Sequence, residues 1–265
     1  MPARLLLWLP LLALLLSLPA CSGSSGERVV DFEAVASGPA DARPGEPLSF
    51  QGAQGWLVTL TRARLHIGAL YLAEALPPPE EQESCTLPVN YVAQVVQGRD
   101  IDLLSSEPQA FPTPGHGNPL EALAGQVWLT SDDVNVADVP TPPTVILHVL
   151  GSAQRGSELR PFEANLTIAS NRVSSSSGAA GADSICNERI VSPIELSLRV
   201  QSGGALWLRV DPRLLFTNVD FGALEAQGDV FVFNDDSSDE PSKTLYENLK
   251  QPGPLYDFSW VDEPR

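Results

Sequence analysis

Residues 194–210 read IELSLRVQSGGALWLRV. Ile194, Leu196, Leu198 and Val200 alternate with Glu195, Ser197 and Arg199, which gives one apolar face and one wet face. After Gln201-Ser202-Gly203-Gly204 the pattern resumes, with Leu206, Leu208 and Val210 alternating with Trp207 and Arg209. A period of two belongs to a half-buried strand, because successive side chains of an extended chain point to opposite faces. Two such runs across a glycine-containing turn predict a β-hairpin.

Working outward, the same signature recurs. Upstream, RPFEANLTI alternates Phe162, Ala164, Leu166 and Ile168 with polar residues, and TVILHVLG (144–151) is apolar enough to lie centrally in a sheet. GQVWLTS (125–131), VNYVAQVVQG (89–98) and VVDFEAV (29–35) read as further strands. GWLVTLTRARLHIGALYL (55–72) changes phase: Trp56, Val58 and Leu60 give way to Ala63, Leu65 and Ile67. A phase change inside an extended run predicts a bulge, or a bend between two strands. PQAFPTPGHGNP (108–119) reads as loop. Downstream, DPRLLF predicts a helical turn and VFVF a strand. SKTLYENLK (242–250) predicts a helix capped by Ser242, and LYDFSWV a final strand. Together these predict an all-β fold, an antiparallel β-sandwich of about ten strands with one or two short helices, in a single domain over residues 29–265.

The N-terminus reads MPARLLLWLPLLALLLSLPACSGSSG. One arginine, a leucine-dominated run and then small residues follow the plan of a secretory signal. Leu18-Pro19-Ala20-Cys21 resembles the lipobox of bacterial lipoproteins, whose cysteine is lipidated and becomes the first residue of the mature protein. That resemblance implies a signal peptide over 1–20, a lipid on Cys21, a flexible tether over 21–28, and an outer-membrane anchor facing periplasm or cell surface. Cys85 and Cys186 are then a lone pair in an exported chain, which predicts one disulfide.

The chain holds 33 acidic against 16 basic residues, a formal net charge of -17. A field of that sign repels phosphates, so nucleic acid is excluded as a partner. There is no GxSxG elbow, HExxH helix or phosphate-binding glycine loop, and the chain reads as a non-enzyme. Of the three histidines, His116 stands between Gly115 and Gly117, and His66 shares a face with Arg62 and Arg64; these two are expected to reach solvent. His148 shares its face with Ile146 and Leu150 and reads as a core histidine. A copper site would use His116 first and His66 second, completed by a carboxylate. Calcium would instead use acidic-loop oxygens, at Asp132, Asp133 or Asp235.

Several phrases, among them GWLVTLTRARLHIGALYL, IDLLSSEP and LWLRVDPRLLFTNVDF with the later YENL and FSW, resemble uncharacterised lipoproteins of Gram-negative bacteria, from which no activity carries over. The chain is also similar to secreted copper-binding β-sandwich proteins of the MbnP type. The shared features are an early strand, a late Leu-x-Val-Asp strand, an Asn-bearing helix and a terminal strand. Those proteins are richer in cysteine, so no ligand residue is carried over. The expectation is a lipid-anchored, non-enzymatic binding or structural module of the cell envelope with a protein or glycan partner and no resident cofactor. The alternative is an envelope metal-binding protein, for copper or calcium; a hydrolase comes third.

Overall fold

A computed structural model describes residues 29–76, 90–131, 141–167 and 189–262. In chain order the first strands are β1 (Val30–Ser37), β2 (Leu48–Gln51), β3 (Leu57–Ile67), β4 (Ala69–Ala73), β5 (Tyr91–Val95), β6 (Arg99–Asp102), β7 (Gln109–Ala110) and β8 (Gly115–Gly117). They continue as β9 (Glu121–Trp128), β10 (Val145–Arg155), β11 (Glu158–Thr167), β12 (Ile190–Arg199), β13 (Ala205–Val210), β14 (Ala226–Gln227), β15 (Val230–Phe233) and β16 (Tyr256–Val261). One α-helix, α1 (Glu240–Lys250), lies between β15 and β16. The fold is all-β. The sixteen strands among the described residues exceed the expected ten because several are too short to show a period.

Two sheets result. The nine-stranded sheet runs β12-β9-β4-β5-β8-β1-β13-β16, with β7 on β1. The seven-stranded sheet runs β14-β15-β11-β10-β3-β2, with β6 on β3. Pairing is antiparallel except for β1 with β13 and β11 with β15. The apolar faces of both sheets enclose one core, including Leu60, Leu65, Leu70, Leu72, Val127, Val149 and Leu208. At its centre Phe162, Phe216, Phe221 and Phe233 pack with ring centroids 5.1 to 6.1 Å apart, and Trp56 stands against Phe221.

The phase change in residues 55–72 corresponds to both features it predicts. Opposite β10, Arg62 pairs with Leu150 and Leu60 with Gly151, so Thr61 is the extra residue of a bulge. At Gly68 the chain then leaves one sheet for the other. A Cβ there would stand 2.1 Å from Thr130 Oγ1, so the crossing has room for glycine alone.

The expected hairpin does not form. β12 pairs with β9, while β13 lies between β1 and β16. Each run has its apolar face as expected, but alternation specifies a face and not a partner. The turn glycine Gly204 sits beneath the Trp260 ring, where a Cβ would come within 2.4 Å of Nε1. The helix starts two residues before the expected cap. Asp239 Oδ1 accepts from Ser242 N, and Ser242, itself fully buried, donates to Asp239 Oδ2. DPRLLF forms a 3-10 turn capped by Asp211.

Candidate functional site

His116 lies on strand β8, not in a loop. Its flanking glycines serve packing: a Cβ on Gly115 would stand 2.2 Å from the Phe32 ring, and one on Gly117 2.5 Å from Ala93 Cβ. The strand thus lies close on its inner side and presents His116 outward, half-exposed.

The registers of the neighbouring strands extend this into a row. Asp31 of β1 stands opposite His116, His116 opposite Gln94 of β5, Gln94 opposite Tyr71 of β4, and Tyr71 opposite Gln126 of β9. Residues directly opposite in adjacent strands share a face. Strands are about 4.8 Å apart, so five of them carry the row over roughly 19 Å. The residues next to the row in sequence, including Phe32, Ala93, Leu70, Leu72 and Val127, point into the core.

The two ends of the row differ. At the exposed end His116 Nδ1 meets Asp31 Oδ1 at 2.7 Å. A carboxylate only accepts, so this contact places the imidazole proton on Nδ1 and turns Nε2 outward as an acceptor. At the other end, the Tyr71 ring lies between Tyr91 and Trp128, with centroids 4.8 and 4.5 Å away. Tyr91 Oη and Trp128 Nε1 both donate to Gln126 Oε1, at 3.1 and 3.0 Å. Gln126 is fully buried, and its Nε2 finds no acceptor among the described residues. Burial raises the Tyr71 and Tyr91 hydroxyls above the ordinary tyrosine range; for Tyr91 the bond to Gln126 partly opposes it. Between the ends lies a shallow pocket of about 280 Å³ with Val29, Tyr91, Gln94, His116 and Asn118 on its walls.

The other expected site residues fall elsewhere. His66 belongs to the seven-stranded sheet and is 9% exposed, where solvent access was expected. Asp100 stands opposite it and takes its Nδ1 at 2.7 Å, while Arg62 and Arg64 on the same face remain exposed. The structure therefore does not bring His66 and His116 together. His148 is not a core histidine: a register shift between Val145 and Leu147 gives the core to Leu147 and Val149, and His148 Nε2 lies 3.6 Å from Glu163 on the outer face. Asp235 accepts from Thr167 N and Oγ1, which ties the loop before α1 to β11. Among the described residues no three His, Cys, Asp or Glu side chains stand together in a way that could hold a metal ion. Cys21, Cys85, Cys186, Asp132 and Asp133, with the signal and the tether, lie outside the described residues.

Sequence reasoning found His116 and missed Asp31, Tyr71, Tyr91, Gln94 and Gln126. For Asp31, Gln94 and Tyr91 the available signal was their exposed place in a strand; Tyr71 and Gln126 are buried within buried stretches and carried no such signal.

No model of a known protein family matches the chain, and no curated protein matches it. Among solved structures it is similar to MbnP from Methylosinus trichosporium, at 12% identity and a TM-score of 0.41, over 88% of this chain and 98% of that one.

Proposed function

We propose that this chain is a lipid-anchored binding module of the bacterial cell envelope, without catalytic activity of its own, and that it holds a glycan on the outer face of its nine-stranded sheet. The observation that carries this reading is the row Asp31-His116-Gln94-Tyr71-Gln126, flanked by the rings of Tyr91 and Trp128. The exposed members of the row, the Asp31 carboxylate, the His116 imidazole and the Gln94 amide, supply the paired donors and acceptors that vicinal hydroxyls require, with Tyr71 and Gln126 buried beside them. Aromatic rings supply apolar faces for the C–H side of a sugar ring, with polar edges left to bond. The address rests on the lipobox-like Leu18 to Cys21.

A second reading has one specific observation behind it. A histidine whose Nδ1 bonds a carboxylate presents Nε2 as metal ligands do, and His116 with Asp31 has that arrangement. Copper then needs further ligands from outside the described residues.

Calorimetry with chitotetraose, cellotetraose and maltotetraose tests the glycan reading, with copper as the fourth titrant. Binding of one saccharide, weakened at least about tenfold by Tyr91→Ala and by Gln94→Ala, supports it. Binding of copper alone, lost in His116→Ala, replaces it with the metal reading. Equal palmitate labelling of wild type and Cys21→Ala would sink the lipid anchor.

A further inference from the structure

Among the described residues, β12 and β16 end the nine-stranded sheet, and each has one side without a strand partner. The sheet curls until these edges approach: a Cβ on Gly125 of β9 would come within 2.9 Å of both Phe258 of β16 and Leu196 of β12. Beside this seam lies a cleft of about 900 Å³, bounded by the loops at 39–41 and 252–254. That volume falls in the upper part of the range for pockets that take small molecules.

Two arginines line the cleft, and they are held differently. Arg213 is fully engaged: Nε and Nη2 donate to Asp211 at 2.7 to 3.0 Å, and Nη1 to Asp41 Oδ2 at 2.9 Å. The hydrogen bonds to Asp211, ahead of those to Asp41, raise its pKa and fix it as a cation. Arg209, half-buried on β13, has no such partner. No described residue accepts a hydrogen bond from it, and its Nε is buried with no acceptor. Its register neighbour Asp257 and the nearby Glu195 of β12 are exposed carboxylates with no ion pair among the described residues. A buried donor left unpaired is costly to a fold. What sets Arg209 apart is its place: its unpaired, buried Nε and two exposed carboxylates, Glu195 and Asp257, line one cleft.

We propose that the seam cleft binds a short peptide by its free ends. The terminal carboxylate takes the two-pronged hydrogen bond that the planar Arg209 guanidinium offers. The terminal ammonium goes to Glu195 and Asp257, which face the same cleft. Apolar side chains rest on Ile194, Pro39 and Pro193. A phosphate is disfavoured, because Asp41, Asp211, Glu195 and Asp257 all line the cleft and repel a dianion. This site is separate from the His116 row and does not depend on how that row is read.

The test is calorimetry of the full chain with the tripeptide Ala-Leu-Ala, its C-terminal amide and its N-acetyl form. The free tripeptide is expected to bind. The amide, and the free tripeptide on Arg209→Gln, are each expected to bind at least about tenfold more weakly, as loss of a charge-assisted pair requires. Arg209→Lys should recover part of the affinity, and His116→Ala should leave it unchanged. No described residue accepts a hydrogen bond from Arg209, so Arg209→Gln should melt close to wild type; the amide comparison needs no variant at all. Failure of the free tripeptide to bind at millimolar concentration, or equal binding by the amide, overturns the proposal.

Discussion

The molecule carries two clusters of aromatic rings, and they are built of different residues. Inside, Phe162, Phe216, Phe221 and Phe233 meet at 5.1 to 6.1 Å, and Phe216, Phe221 and Phe162 are 1, 0 and 2% exposed. On the other face, Tyr71, Tyr91 and Trp128 meet more closely, at 4.5 and 4.8 Å and tilted, but every ring has a polar edge and two of them bond the same Gln126 oxygen. The inner cluster has no hydrogen bonds to satisfy, and its value is area removed from water. The outer cluster leaves Gln126 Nε2 buried and unpaired among the described residues, which a structure designed only for stability has no reason to keep. Close ring contact is common to both; the polar edges separate a core from a face that can recognise a ligand.

The largest effect expected from this contrast is Phe162→Ala. Phe162 touches three other phenylalanines in a closed interior, so the cavity cannot collapse. The loss should be about 3 to 5 kcal/mol in denaturant unfolding, while Tyr91→Ala, at a 38% exposed position, should cost far less. Similar losses at the two positions would erase the distinction between the clusters.

Next comes pH. The Tyr256 hydroxyl lies fully inside and donates to Leu249 O at 2.8 Å; burial pushes its pKa well above the ordinary tyrosine range. The folded chain therefore holds this proton where the unfolded chain releases it. Stability from this group is complete below about pH 10 and falls by about 1.4 kcal/mol per pH unit above it. Tyr256→Phe should lose that contribution to the slope, read as unfolding free energy between pH 9 and 11. An unchanged slope would mean that the hydroxyl is not held neutral by the fold.

The smallest effect on stability is expected at Gln126→Met. The substitution removes the acceptor of Tyr91 and Trp128 but also the unpaired buried amide, two changes of opposite sign and about 1 kcal/mol each. Melting should stay near wild type while saccharide affinity falls. A loss of several kcal/mol would show that Gln126 serves the fold, and the outer cluster would then belong with the inner one.

Much of the fold was legible because strands announce themselves locally. The alternation in residues 194–210 gave two faces correctly, and the phase change after Leu60 corresponds to the Thr61 bulge and the crossing at Gly68. The site was less legible. Asp31, Gln94, Tyr71 and Gln126 come from four strands spread over 96 positions, 31 to 126, and nothing in their order places them side by side.

By itself, the sequence determined the class of the fold, the inward and outward half of nearly every long strand, the acidic surface and the lipobox-like start. Each of these depends on neighbouring residues or on composition. Tertiary structure alone decided which strand pairs with which: it sent β12 to β9 and β13 to β1, aligned Asp31 with His116, and left Arg209 facing a cleft without a partner among the described residues. The physical reason is that a strand's alternation fixes only the direction of its side chains. Its neighbours are chosen by the closure of the whole core, to which every strand contributes at once.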